Sequence, residues 1–226
     1  MERRRFLRTL AATGPLSTAG CLGDFGLGPS NTYLDRPERQ EIRSANLPYP
    51  AYSERLPSVR LTDPLAGREV STTEFDDELV LVTFFYTTCT SICPFLISSL
   101  REVQTAAVDG GYGDEVVFLA ITFDPGRDTA TRLRSYGRGM HVDLDAGNWH
   151  FLRPDTPERA TAVVEETFGV TFERTGPPDD AMYMFNHLGL VVFANEKGYV
   201  ERAYTGDDPK GGVILNDVNR VRDARR

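Results

Sequence analysis

One stretch of the chain decides the fold: Val80-Leu-Val-Thr-Phe-Phe-Tyr86, followed by Thr87-Thr-Cys89-Thr-Ser-Ile-Cys93-Pro94. The first seven residues form a continuous aliphatic and aromatic run, which is typical of a central strand that is buried on both faces. The segment from Pro94 to Ala107 has apolar side chains at helical spacing, and proline is favoured in the first turn of a helix. The two cysteines therefore lie where a buried strand ends and a helix begins.

This position favours reactive or metal-binding cysteines. The free N–H groups and the positive dipole at a helix start stabilise a thiolate, which is both the nucleophile and the metal ligand. A separation of four residues puts Cys89 and Cys93 on one face of the first helical turn, with Cα atoms about 6 Å apart. The pair is within reach of a disulfide and could also hold one metal ion. Two soft thiolates favour Cu(I) first and Zn(II) second, and either ion needs a further ligand.

The remaining pattern predicts an α/β fold with a central sheet covered by helices, because strands and helices alternate along the chain. The predicted elements are a hairpin at 59–71, a strand at Val116–Phe123, helices at Asp128–Met140 and Thr156–Phe168, strands at Leu188–Ala194 and Tyr199–Tyr204 joined by the turn Asn195–Gly198, and a closing helix at Gly212–Asp223. Asp128 is the expected N-cap of its helix, since aspartate accepts hydrogen bonds from free N–H groups there.

One of the three histidines is a candidate for the missing ligand. His187 directly precedes the apolar run Leu188–Ala194, whereas His141 and His150 lie in a polar connection. We expect the strand after His187 to lie beside the Val80–Tyr86 strand, which would bring His187 close to the cysteines. Imidazole is a suitable third ligand for a copper ion that is held by two thiolates.

Other residues near this site allow two interpretations each. Asp124 ends the second buried strand. In one interpretation its carboxylate forms a hydrogen bond or binds Cu(II) weakly at the site, and in the other it is a turn former in an Asp-Pro pair. Met182 and Met184 could be soft ligands, but they alternate with aromatic residues, which favours core packing. Trp149 is predicted to belong to the core.

Composition excludes several classes of protein. The chain has 226 residues, 40% of them hydrophobic, and a net charge of −8. A nucleic-acid-binding protein would need a clustered basic face, which this acidic balance opposes. No uncharged apolar run reaches the roughly 18–20 residues of a membrane-spanning helix. Three cysteines are too few for a disulfide scaffold.

The N-terminus has the pattern of an export signal in residues 1–20. The motif Arg3-Arg4-Arg5-Phe6-Leu7 resembles a twin-arginine signal, and Ala19-Gly20-Cys21 resembles a lipobox with Cys21 as the lipidated residue. Removal of four arginines and one glutamate with the signal would change the net charge from −8 to −11. Residues 21–56 are predicted to be a lipid-anchored flexible linker, because they are rich in Gly and Pro and lack periodicity. Residues 57–226 form the predicted domain, exported and held at the outer face of the cytoplasmic membrane.

Several motifs, taken in order, resemble the Sco/SenC family of copper-binding, thioredoxin-like proteins. The strand and C-x3-C-P loop at 80–94 resemble the family's cysteine motif, and Asp124-Pro-Gly-Arg-Asp-Thr129 resembles its D-P-x-R-D-T segment. Trp149 and Leu152 match a W-x2-L strand, and Asn186-His187 matches the context of the family's ligand histidine. The resemblance spans about residues 57–207.

The resemblance implies a thioredoxin-like fold with an extra β-hairpin. It also implies that Cys89, Cys93 and His187 bind Cu(I) or Cu(II). Family members deliver copper to the binuclear copper site of cytochrome c oxidase subunit II, or keep the cysteines of that site reduced. The expected partner is therefore subunit II or another copper-acceptor protein.

Two other functions stay open at this point. A thiol-disulfide oxidoreductase or peroxidase would use Cys89 and Cys93 without a metal, and it would not need His187. The C-x3-C spacing counts against this function, because thiol oxidoreductases have C-x2-C. A copper or redox sensor with a signalling partner is also compatible with the same residues.

Overall fold

The computed structural model describes residues 31–38, 40–176, 183–206 and 210–226. The strands are β1 (Arg60–Asp63), β2 (Arg68–Ser71), β3 (Leu79–Phe85), β4 (Val116–Thr122), β5 (Trp149–Leu152), β6 (Phe172–Thr175), β7 (Met184–His187), β8 (Leu190–Ala194) and β9 (Val200–Thr205). The helices are α1 (Cys93–Asp109), α2 (Ala130–Gly139), α3 (Pro157–Thr161), which continues as a π-helix over Ala162–Thr167, and α4 (Gly211–Ala224).

A five-stranded mixed sheet forms the centre of the fold, in the order β5-β4-β3-β8-β9. Strands β3, β4 and β5 are parallel, whereas β8 runs antiparallel to β3 and β9 antiparallel to β8. All seven residues of β3 and all seven of β4 are buried, as expected for central strands with helices on both faces. The prediction of an α/β fold with a central mixed sheet is confirmed.

Aromatic contacts attach the helices to the two faces of β3. Phe84 packs against Phe168 at the end of the π-helix, with ring centroids 5.0 Å apart. The next residue, Phe85, points to the opposite face and stacks on Tyr136 of α2 at 5.3 Å. A helical layer packs on each face of β3. Both faces of the strand therefore need apolar side chains, which gives the continuous apolar run.

The predicted N-cap of α2, Asp128, is wrong by one residue, and the helix begins at Ala130. Thr129 is the N-cap, and its side chain accepts a hydrogen bond from the backbone N–H of Arg132 at 3.4 Å. Asp128 is completely buried and turns away from the helix start. The Asp-Pro turn at Asp124–Pro125 delays the helix, and Asp128 is used instead to hold the cysteine loop, as described below.

Two antiparallel hairpins flank the central sheet. The first pairs β1 with β2, as predicted from the turn residues at 63–67. The second pairs β6 with β7 and places Phe172 opposite His187. Strand patterns in the residues did not predict β6 and β7, because both strands are short and no residue of either is fully buried.

The described part of the predicted linker packs against the domain. Glu201 of β9 is buried and accepts hydrogen bonds from the backbone N–H groups of Tyr33 and Leu34, at 2.8 and 2.9 Å. Farther along, Ser53 N donates to Val200 O at 2.8 Å, and Leu56 N donates to Gly198 O at 2.9 Å. Residues 31–38 and 40–56 are therefore held on β9 and on the turn before it, whereas their Gly- and Pro-rich composition predicted a flexible linker up to residue 56.

None of the helices in the described part of the chain is both long enough and apolar enough to cross a membrane. The predicted signal and Cys21 lie outside the described residues.

Candidate metal centre

The two cysteines lie at the carboxyl end of β3, at the predicted transition from strand to helix. Cys89 is in the connecting turn, and its backbone N–H donates to Tyr86 O at 3.2 Å. Cys93 is the first residue of α1 and is followed by Pro94 in the first helical turn. Both side chains are buried, and both are free thiols. In this structure the cysteine pair is therefore unbridged and largely shielded from solvent.

His187 reaches the cysteines from the opposite side. It is the last residue of β7, and the chain then enters β8, which pairs with β3 as expected. Its Nε2 atom is 3.2 Å from Cys93 Sγ, and its Nδ1 atom is 3.2 Å from the backbone oxygen of Leu188. Because a carbonyl oxygen only accepts hydrogen bonds, Nδ1 donates to Leu188 O, and Nε2 is the ring nitrogen that faces the sulfur atoms.

These three side chains form the one group of potential metal ligands found among the described residues. The two sulfur atoms and a ring nitrogen of His187 all lie within 4.8 Å of one another. Bonds from zinc to sulfur and nitrogen are about 2.0–2.3 Å long, so the ligands of such an ion lie up to about 4.6 Å apart. The observed spacing therefore fits a single ion after small side-chain shifts. Two thiolates and an imidazole are a soft ligand set, which suits Cu(I).

The two thiols differ in acidity. The pKa of Cys89 is lowered to about 3, chiefly because the Cys93 side chain hydrogen-bonds to its sulfur, with further contributions from His187 and Ser91. Burial raises the pKa of Cys93, and the neighbouring Cys89 thiolate raises it further. At neutral pH the site therefore holds one thiolate, at Cys89. This thiolate is both a metal ligand and a potential nucleophile.

Aromatic rings hold the His187 hairpin against the body of the protein. The imidazole lies 5.0 Å from the Phe123 ring and 5.9 Å from the Tyr86 ring. The Tyr86 hydroxyl donates to Phe185 O at 3.3 Å and accepts from Phe185 N at 3.2 Å. Phe123 also stacks on Phe172 at 4.7 Å. These contacts close the inner side of the site and determine where His187 lies.

Asp124 lies outside the ligand group. Its two carboxylate oxygens accept hydrogen bonds from Arg127 Nε at 2.5 Å and from the Tyr183 hydroxyl at 2.8 Å. The Tyr183 ring lies between the guanidinium groups of Arg127 and Arg174, at 3.5 and 3.8 Å. The structure therefore does not bring Asp124 to the cysteines, and the hydrogen-bonding interpretation describes its observed contacts.

Asp128 is the supporting residue that the sequence analysis assigned to a different role. Its carboxylate accepts hydrogen bonds from the backbone N–H and hydroxyl of Thr87 and from the hydroxyl of Thr122. Burial raises its pKa. Asp128 therefore holds the turn that leads to Cys89. The signal that could have revealed this role is the D-P-x-R-D-T segment, in which a second aspartate, Asp128, lies four residues after Asp124.

The remaining candidates have structural roles. Trp149 stacks on Phe118 with ring centroids 5.2 Å apart, in the core as predicted. Met184 packs against the core and has its sulfur 4.0 Å from the Tyr86 hydroxyl, whereas Met182 lies outside the described residues. His150 is buried and pairs with Asp63 at 2.8 Å rather than with the cysteines.

Comparisons with known proteins agree with this site. Residues 60–222 match the model of the SCO1/SenC family. An SCO2-like protein of Rickettsia felis is 26% identical over 146 residues, which cover 64% of this chain and 67% of that protein.

Solved structures show the same fold. A SCO1/SenC family lipoprotein from Bacillus anthracis superimposes with a TM-score of 0.61 at 19% identity, covering 78% of this chain and 96% of that one. ScoI of Bradyrhizobium japonicum, solved with copper bound, superimposes with a TM-score of 0.60 at 24% identity, covering 73% of this chain and 98% of that one. These matches confirm the thioredoxin-like fold. Because the family model spans most of the chain, this protein belongs to the SCO1/SenC family.

Proposed function

We propose that this protein binds copper through Cys89, Cys93 and His187 and delivers it to a copper-acceptor protein. The observation that carries the proposal is the convergence of two thiol sulfurs and one imidazole nitrogen within 4.8 Å. Membership of the SCO1/SenC family and the copper bound to ScoI of Bradyrhizobium japonicum support the choice of metal. Soft sulfur ligands favour Cu(I) over the harder divalent ions.

Metal titration tests the binding step. The purified protein is titrated with Cu(I) in competition with a chromogenic chelator, together with the variants Cys89→Ser, Cys93→Ser and His187→Ala. We expect one tightly bound ion in the wild type and weaker binding in each variant. His141→Asn is the matched control, because His141 is exposed, has a left-handed φ of 58°, and asparagine tolerates that conformation. Equally weak binding by the wild type and all ligand variants would refute copper binding at this site.

The expected acceptor is the binuclear copper site of cytochrome c oxidase subunit II. Three buried or half-buried ligands provide a site from which the ion can be passed on by ligand exchange, with each bond replaced in turn by one from the acceptor. A deletion strain tests this role: it should lose cytochrome c oxidase activity, and added copper should restore part of it. Normal oxidase activity in copper-limited cells of that strain would contradict delivery to subunit II.

We also propose that the protein is exported and anchored by a lipid on Cys21. The support is the basic, arginine-paired N-terminus and the Ala19-Gly20-Cys21 motif, together with the lipoprotein from Bacillus anthracis in the same family. Cys21→Ser should move the protein from the membrane fraction to the soluble fraction. Mass spectrometry of the N-terminal peptide should show an acylated Cys21 in the wild type only.

The free thiol pair supports a second candidate function, thiol-disulfide exchange. Its support is the lowered pKa of Cys89, which supplies a thiolate nucleophile at neutral pH. In such a reaction Cys89 attacks a disulfide of the partner and releases one partner thiolate. Cys93 then loses its proton and attacks the Cys89 sulfur of the mixed disulfide, which releases the second partner thiolate and leaves a Cys89–Cys93 disulfide. Disulfide reduction that persists in His187→Ala, with loss of copper binding in the same variant, would favour this function over copper delivery.

A further inference from the structure

Exposed apolar side chains gather around the mouth of the metal centre. In the described part of the chain only five large apolar residues are exposed. Two of them, Phe95 (55% exposed) and Leu188 (38%), neighbour ligands in the chain, and a third, Val213 (53%), shares a cavity with Phe95. Leu188 follows the ligand His187, and Phe95 lies two residues after the ligand Cys93. Exposed apolar side chains that lie beside one site are candidates for a contact surface.

Two open cavities border Phe95, and the first of them reaches a ligand. The first, of about 420 Å³, is lined by Ser91, Ile92, Phe95, Phe185, Asn186 and His187. The second, of about 520 Å³, lies at the start of α4, where Val213 lines it together with the charged residues Glu102 and Lys210. We call the exposed side chains of Phe95, Leu188 and Val213 the apolar rim.

The cavity beside the imidazole has no fixed charge. Its six lining residues include no Asp, Glu, Lys or Arg, although 26% of the residues of the whole chain are charged. The part of a partner that enters this cavity must therefore be neutral, since an unpaired charge buried there would be costly. The charges next to the rim are those of Glu102 and Lys210, which line the second cavity beside Val213.

The metal centre is accessible from this side. Cys89 and Cys93 are buried, and the rings of Tyr86 and Phe123 cover the inner side of His187. The half-exposed imidazole faces the first cavity, which is therefore a path for an incoming ligand. A protein that takes the ion by ligand exchange must bring a donor atom to this opening and must cover the apolar rim in doing so.

We infer that the apolar rim is the docking surface for the protein that receives the metal. This inference rests on the proposed copper-delivery function. The partner presents a soft sulfur or imidazole ligand next to neutral apolar side chains. Copper keeps its oxidation state during the exchange: each bond from the partner replaces one from Cys89, Cys93 or His187, and a released thiolate takes a proton from solvent.

The test compares glutamate substitutions inside and outside the rim. Val213→Glu and Phe95→Glu each place a charge in the rim on an exposed side chain. Val108→Glu is the matched control, because Val108 is also exposed and lies on α1 near the opposite end from the ligands. Each protein is loaded with Cu(I) and mixed either with the purified copper domain of cytochrome c oxidase subunit II or with a small chelator. The chelator needs no docking surface.

We expect Val213→Glu and Phe95→Glu to slow transfer to the subunit II domain at least tenfold and Val108→Glu to leave it unchanged. Transfer from Val213→Glu to the chelator should stay within twofold of wild type. Equal protein-to-protein rates for all variants would overturn the docking role while leaving copper binding intact. If wild type sediments as a dimer that Val213→Glu dissociates, with no change in transfer, the rim is a self-association surface and the inference is also overturned. Failure of the wild type to take up Cu(I) would overturn both the proposed function and the inference.

Discussion

The cysteine loop and the β6–β7 hairpin supply ligands to the same site, but the protein holds them differently. The cysteines follow β3, in which every residue is buried, whereas no residue of β6 or β7 is fully buried. The loop is fixed by the central sheet, by α1 and by the buried carboxylate of Asp128. The hairpin is fixed mainly by aromatic rings and by the hydroxyl of Tyr86.

This difference indicates how the site can both hold and release an ion. Moving a cysteine would disturb the core of the domain, which costs several kcal/mol because the interior is closely packed. Moving His187 disturbs only a short hairpin with partly exposed residues, and such segments open at low free-energy cost. We therefore expect the two sulfurs to be the permanent ligands and His187 to be the ligand that leaves first.

The largest expected effect is the loss of Cu(I) affinity when a cysteine ligand is replaced. Cys93→Ser should lower Cu(I) affinity by about a thousandfold or more, since a soft thiolate at the centre of the ligand group is lost. His187→Ala should lower it less, by about ten- to a hundredfold, because two thiolates remain. Competition titration with a chromogenic chelator measures both affinities. A greater loss in His187→Ala than in Cys93→Ser would reverse the proposed ranking of the ligands.

The next effect concerns the buried carboxylate under the cysteine loop. Asp128→Asn should lower the free energy of unfolding by about 1–3 kcal/mol, because the amide NH₂ faces the donors of Thr87 and Thr122. Urea denaturation of the metal-free protein measures the change. Asp145→Asn, at an exposed position, is the control and should change the free energy by less than about 0.5 kcal/mol. Equal stability of the two variants would show that the loop does not depend on Asp128.

A smaller and more local effect is expected on the stability of the β6–β7 hairpin. Tyr86→Phe removes the hydroxyl that bonds both the N–H and the carbonyl of Phe185, at a cost of about 0.5–1.5 kcal/mol. The amide of Phe185 should then exchange with solvent about two- to tenfold faster, whereas amides of β3 should keep their wild-type rates. Hydrogen exchange followed by NMR gives both rates. Uniformly faster exchange in β3 and β7 would mean that the hairpin and the core open together.

The smallest expected change is in the pH dependence of cysteine labelling. With its pKa lowered to about 3, Cys89 is already a thiolate at pH 5. Alkylation of metal-free protein by iodoacetamide at Cys89 should therefore stay nearly constant between pH 5 and 7, whereas an ordinary thiol with a pKa near 8.5 would gain about a hundredfold. Peptide mass spectrometry measures the rate. Cys93→Ala, which removes the main hydrogen bond to Cys89, should restore a rise with pH, and a steep rise in the wild type would contradict the lowered pKa.

The sequence predicted β3 and the cysteine loop better than it predicted the β6–β7 hairpin. A continuous apolar run such as Val80–Tyr86 has few alternatives to a central strand, and cysteines at its end must lie at a helix start. Met184–His187 is a short strand of two apolar residues followed by two polar ones, so it carries no alternating or continuous apolar signal. It pairs with β6, in which Phe172 lies opposite His187 and packs on Phe123.

By itself the sequence determined the α/β fold, and the two cysteines and one histidine as candidate ligands. The fold class follows from local hydrophobic pattern and spacing, which short-range geometry restricts strongly. Only the tertiary structure decided that Asp128 supports the cysteine loop rather than capping α2, that Asp124 binds Arg127 and Tyr183, and that residues 31–38 and 40–56 pack on β9 and the turn before it. The reason is physical: a polar side chain has several possible hydrogen-bond partners, and which one it meets depends on segments far away in the chain.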